Sequence, residues 1–253
     1  MHLDLASDAV ELRVDLTNGG RLASLVVHGH ELLVGRRDDP LAWGCYPMVP
    51  FAGRIDQGVL TWRGANHQLP AVLGRHAIHG YGFTSPWTRV DDHTIAFELM
   101  APWPYAGTVT QRFDLTDEHL DVGMTLRAVD AQPVSLGWHP WFLRELNGAT
   151  CALELDAEWM YEIDDEIPTG QLAPPPPGPW DNCFTGLRSN PRLRWGDLSI
   201  ELSSSADHWI VYDMPDHALC VEPQTGPPND VNTNPTVVDA GEEFAITFRI
   251  AWG

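Results

Sequence analysis

Apolar and polar residues alternate in short runs along almost the whole chain, and glycine, proline or an acidic turn interrupts each run before helical periodicity can build. Val10 to Leu16 alternates, AsnGlyGly at 18 to 20 turns the chain, and ArgLeuAlaSerLeuValValHisGly alternates again. This reads as strand, turn, strand. ValThrGlnArgPheAspLeu and LeuAspValGlyMetThrLeu, separated by ThrAspGluHis, read as an antiparallel hairpin with one buried face, as do the segments flanking Asp91. Strands of the same kind resume at Leu198 to Leu202 and Trp209 to Asp213, and GluPheAlaIleThrPheArgIle alternates near the end. Residues 173 to 180, AlaProProProProGlyProTrp, lack ladder donors and read as a stiff polyproline-like loop. A linker there would leave the last third with few strands to close a core of its own. The expected fold class is therefore all-β, a large antiparallel β-sandwich of two big sheets, with residues 1–253 forming one domain.

Composition removes several functions. A formal charge of −20 repels phosphate backbones and anionic lipid, and the aromatics are not interleaved with basic runs, so no nucleic acid and no membrane partner is expected. All fifteen basic residues are arginine, which leaves no lysine for a Schiff base, a pyridoxal cofactor or a phosphate-binding loop. Cys45, Cys151, Cys183 and Cys220 form no CxxC pair and read as small core residues. No membrane-length apolar run and no signal-like start occurs, so a soluble cytoplasmic protein is the default expectation.

The chemistry concentrates around residues preceding proline. In SerLeuGlyTrpHisProTrpPhe, residues 135 to 142, Pro140 restricts His139 to extended backbone, with Gly137 and Trp141 on its own strand face. Aromatics beside a histidine suit a sugar site, while the plain alternative is a core histidine bonded to a backbone carbonyl. Glu222, in AlaLeuCysValGluProGlnThr, is held extended by Pro223 and shares a face with Cys220 and Gln224. A carboxylate among apolar neighbours is either half of a structural ion pair or a base with a tuned pKa, and the residue alone does not decide which. Arg54 in ProPheAlaGlyArgIle could donate in a fork to sugar hydroxyls or be a surface arginine. His79 precedes GlyTyrGly, and Asp181 follows the proline-rich loop, where it could accept from hydroxyls or make a turn. Two incomplete histidine sets, His28 with His30 on one strand face and His76 with His79 as HxxH, lack a marked third ligand, so metal is not expected. Ser135 has no nucleophile-elbow motif.

Taken in order, ProPheAlaGlyArgIle, IleHisGlyTyrGlyPhe, GlyTrpHisProTrpPhe, AspAsnCysPhe and ValGluProGlnThr resemble the motifs of the aldose 1-epimerase (galactose mutarotase) family over nearly the whole length, closest to its short bacterial members. The resemblance implies a β-supersandwich, no cofactor, no metal, and interconversion of the α and β anomers of an aldose. It implies that Glu222 takes the proton of the C1 hydroxyl and His139 protonates the ring oxygen. It also places His79 near that oxygen, and Arg54 and Asp181 on hydroxyls. Trp141 and Gln224 are added as substrate-binding candidates. Gly53 stands where the family often has asparagine, and Trp141 where it commonly has tyrosine, which enlarges a stacking face. Two rivals remain. A hexose-6-phosphate epimerase would need an arginine cluster at the cleft, from Arg188, Arg192 and Arg194 or from Arg36 and Arg37. A carbohydrate-binding or sensing protein would keep the pocket without turnover. The sequence leaves the sugar and the oligomeric state open.

Overall fold

A computed structural model describes residues 1–253. Two antiparallel sheets dominate it. The first has eleven strands, and its middle runs Arg21–Val27, Cys45–Met48, Gly137–Leu143, Ala218–Gln224, His208–Tyr212, Asp181–Leu187. The second has eight, centred on Gly107–Leu115, His119–Ala128 and Glu243–Trp252. The expected hairpins form, with Leu115 opposite Leu120 in one and Thr88–Arg89 paired to Thr94–Leu99 in the other. The proline-rich loop is one residue shorter than expected, because Ala173 ends the strand Ile167–Ala173. No helix is long and apolar enough to cross a membrane.

Strand alternation explains how the sheets pack. Trp138 and Phe142 of one central strand, and Leu219 and Val221 of its neighbour, point into a core shared with Phe113, Val122 and Phe248 of the second sheet. Burying such side chains contributes roughly 1.5–3 kcal/mol each. Trp138 also donates its indole N–H to Gln111 at 3.0 Å, and Gln111 donates to the Gly20 carbonyl at 2.9 Å, so the polar atoms between the sheets are bonded.

The opposite parity faces away from that core. His139 and Trp141 on one strand, and Ala218, Cys220 and Glu222 on the next, lie on the outer face of the first sheet, where a smaller cluster includes Tyr46, Met48, Phe83, Trp141 and Cys220. Both central strands are thus buried on both faces. The two tryptophans flanking His139 consequently part company. Trp138 packs on Phe248 between the sheets, and only Trp141 accompanies the histidine.

Candidate active site

The antiparallel register pairs Gly137 with Gln224 and Trp141 with Cys220, and the same register sets His139 opposite Glu222. Non-bonded cross-strand neighbours bring their side chains together. His139 Nε2 lies 3.3 Å from Glu222 Oε1, and the residues are only 6% and 2% exposed. They form part of the wall of a cleft of about 390 Å³, near the lower end of the ~300–1,000 Å³ range of small-molecule sites.

His79 and Arg54 reach the cleft from a short ladder. Arg54–Ile55 pairs with Ala77–Ile78, and the His79 N–H donates to the Gly53 carbonyl at 2.9 Å. His79 holds left-handed backbone, φ 56°, a conformation that costs a histidine roughly 1–2 kcal/mol and that persists where surroundings impose it. Its ring meets that of His139 edge-on at 5.1 Å. The Nδ1 atoms of both histidines are buried without a protein partner. Asp181 opens its strand with Cys183 on the same face, both lining the cleft, and its carboxylate is 3.5 Å from the Arg54 guanidinium. Six of the seven candidates from the sequence therefore line one cavity, five of them, His139, Glu222, His79, Arg54 and Asp181, with ionisable side chains.

Trp141 and Gln224 behave differently from those five. Trp141 lines the cleft but is only 7% exposed, with the imidazoles of His139 and His217 lying nearly parallel to its ring at 5.3 and 6.0 Å. Its π faces are engaged inside the protein, so the enlarged sugar-stacking face expected from the sequence is not presented. Gln224 has the parity of Glu222 yet is absent from the cleft lining, fully buried and donating to the Gly226 carbonyl at 2.6 Å. His28 occupies a turn at φ 50° and only His30 belongs to a strand, so they do not share a strand face as expected. His76 is fully buried outside the cleft lining, with Nε2 3.2 Å from Glu166 and Nδ1 3.5 Å from Asp56.

Two site residues escaped the sequence reading. Tyr46 packs on His139 with ring centroids 4.8 Å apart. Behind it Arg21, fully buried, donates to the carbonyls of Asn18, Pro40, Trp43 and Phe83 and lies over the Trp43 and Tyr46 rings at 4.1 and 5.0 Å. Its cation has no carboxylate among these contacts, and burial pulls its pKa down to about 10. Nothing in the local sequence separates Arg21 from a surface arginine. Another part of the lining is also long-range in origin. Leu73 and Gly74 join Ile163, Glu166 and Pro168 in the lining, and an Arg75–Asp165 ion pair ties the two segments together.

Burial sets the proton inventory. It pushes the Glu222 carboxyl well above the usual carboxylate range, with Asp181 adding to the rise and Arg54 opposing it. It pulls His139 down to about 3, helped by the Arg21 charge. His79 is likewise lowered, by burial first and then by His139 and Arg54. Burial thus disfavours charge on both partners, favouring a protonated Glu222 carboxyl beside a neutral imidazole.

Residues 13–242 match the family model described as aldose 1-epimerase. The chain belongs to the aldose 1-epimerase family. Members of this family are isomerases that act on sugars. The Escherichia coli K12 protein YphB is 26% identical over 216 residues, 74% of each chain. Two solved structures share the fold. A galactose mutarotase-like protein from Clostridium acetobutylicum superposes with a TM-score of 0.85 at 16% identity, over 99% of this chain and 94% of that one. The galactose 1-epimerase of Lactobacillus acidophilus gives 0.80 at 16%, over 99% and 93%.

Proposed function

We propose that residues 1–253 act as one unit, an aldose 1-epimerase that interconverts the α and β anomers of a free aldose by acid–base ring opening and reclosure. The observation that carries this reading is the buried His139–Glu222 pair, 3.3 Å apart, on the wall of a cleft that also presents His79, Arg54 and Asp181. Anomer exchange needs one group to take the C1 hydroxyl proton and one to give a proton to the ring oxygen. Burial favours the neutral form of both groups, and a proton passed from Glu222 to His139 across 3.3 Å requires no exchange with solvent. Glu222 then serves as base toward the C1 hydroxyl and His139 as acid toward the ring oxygen. The ring opens, C1 rotates, and reclosure with the proton movements reversed restores the site. His79 offers a hydrogen bond at the ring oxygen, and the Arg54–Asp181 pair offers donors and an acceptor to hydroxyls. The cycle regenerates every group and calls for no cofactor.

Charge favours an unphosphorylated substrate. Asp39, Glu166 and Asp181 line the cleft against Arg54 as its one arginine. The arginines a phosphate site would need are engaged elsewhere: Arg188 with Asp156 at 2.9 Å, Arg192 with Glu201 at 2.7 Å and Arg194 with Glu154 at 3.0 Å. Arg36 and Arg37 line a separate depression of about 210 Å³. Polarimetry of freshly dissolved α-aldoses is expected to show accelerated mutarotation of free sugars, with the 6-phosphates slower by tenfold or more, about 1.4 kcal/mol of differential binding. Sugar binding without acceleration of any aldose would overturn the enzymatic reading in favour of a binding protein.

The His79 role has its own test. His79→Asn keeps a residue tolerant of left-handed backbone, so the melting temperature should stay close to that of the wild type. Loss of one hydrogen bond to the reacting sugar should lower kcat/KM about tenfold. An unchanged kcat/KM would make His79 a packing residue only.

A further inference from the structure

Cys220 belongs to the same strand face as Glu222, and neither acid–base catalysis nor hydroxyl binding uses it. Its Sγ, the His139 ring nitrogen and a Glu222 oxygen all lie within 4.8 Å of one another, and all three residues are buried. Sulfur, imidazole nitrogen and carboxylate oxygen are the three donor types that zinc accepts, and three protein ligands with a fourth position open is the pattern of accessible zinc sites. The spacing fits as well. Two ligands bonded to zinc at roughly 2.0–2.1 Å in tetrahedral geometry lie about 3.3 Å apart, which is the separation of His139 Nε2 and Glu222 Oε1. Cys220, fully buried and outside the cleft lining, stands behind these two with its Sγ within 4.8 Å of both ligand atoms. The cleft, which His139 and Glu222 line, supplies both the approach and the fourth position.

The geometry points to a three-ligand site at His139, Glu222 and Cys220 for a borderline-soft divalent ion such as Zn²⁺, whose occupancy switches the acid–base pair off. Binding releases the Cys220 thiol proton and the proton shared by the pair to solvent, and the ion takes the lone pairs that catalysis needs. Hard ions lack affinity for a sulfur and nitrogen set, so Mg²⁺ and Ca²⁺ should leave the site alone. The inhibitory half of this inference rests on the proposed function, whereas ion binding does not.

Co²⁺ added to the full-length protein reports the site directly, because thiolate-to-cobalt charge transfer absorbs in the near ultraviolet. The wild type should gain that band with one equivalent and lose it to Zn²⁺. Cys220→Ala and the larger, apolar Cys220→Val should lack the band, while Cys183→Ala, which alters the cysteine that lines the cleft, should keep it. Removing a direct ligand should weaken Zn²⁺ binding, measured by calorimetry, by at least the ~10- to 100-fold that losing an outer-shell partner costs. Absence of the band in the wild type, its persistence in both Cys220 variants, or its loss in Cys183→Ala overturns the site. In polarimetry, Zn²⁺ but not Mg²⁺ should inhibit the wild type, and each Cys220 variant, measured against its own metal-free rate, should need at least tenfold more Zn²⁺. Should the wild type show no mutarotation at all, the proposed function fails while the cobalt band still decides the site. Full activity with the ion bound overturns the switch.

Discussion

Glu222→Gln is expected to remove the acceleration of mutarotation, lowering kcat by roughly 10²- to 10⁴-fold, the contribution typical of a positioned general base. Glutamine keeps the size of the side chain and resembles the protonated carboxyl that burial favours, so the variant should fold and still bind sugar. His139→Asn should fall by a similar factor, and the double variant should fall little further, because groups sharing one proton act as a unit and their losses do not add. The measurement is polarimetry on a fresh α-anomer, with binding followed separately by calorimetry. A Glu222→Gln enzyme with wild-type turnover would end the assignment, and additive losses in the double variant would mean that the two residues act independently.

The sequence carried the strand character of this chain well, since alternation and turn residues are local properties. It also placed His139 and Glu222 on extended backbone before prolines. Their meeting is a matter of register between strands from distant parts of the chain, and no local signal encodes that His139 faces Glu222. The same limit explains the residues that were missed. Arg21 acquires its role from carbonyls of residues 18, 40, 43 and 83, and Glu166 joins the cleft only because a hairpin folds over the loop at Leu73 and Gly74. Parity tells which face a residue occupies but not whether the cavity extends to it, which is why Gln224 shares the face of Glu222 and lies outside the cleft. Trp141 illustrates a related point. An aromatic next to a histidine in sequence was read as a platform for the sugar, whereas the folded strand spends that ring on packing against the histidine itself.

The pH dependence of kcat/KM should distinguish this buried pair from an ordinary histidine and carboxylate, because that parameter reports groups in the free enzyme. With one proton shared, the site has an acid and a base. As pH falls through about 3, His139 gains a second proton and the base is lost. As pH rises through the raised Glu222 value, the shared proton leaves and the acid is lost. The acid limb should therefore lie well below the ordinary histidine value of 6.5, and the alkaline limb well above 4.5. Stability follows the same groups. Glu222 binds its proton more tightly folded than unfolded, so its contribution is full below about 4.5 and is lost as pH rises through the folded value. His139 binds its proton less tightly folded, so its contribution is full above 6.5 and is lost as pH falls toward about 3. Glu222→Gln carries no ionisable group at that position, so its melting temperature should exceed the wild type's at alkaline pH and match it near pH 5. His139→Asn should correspondingly resist the acid-side loss between 6.5 and 3. A melting-temperature difference between Glu222→Gln and the wild type that does not vary with pH would show that the carboxyl titrates at its ordinary value, and the neutral resting pair would then be wrong.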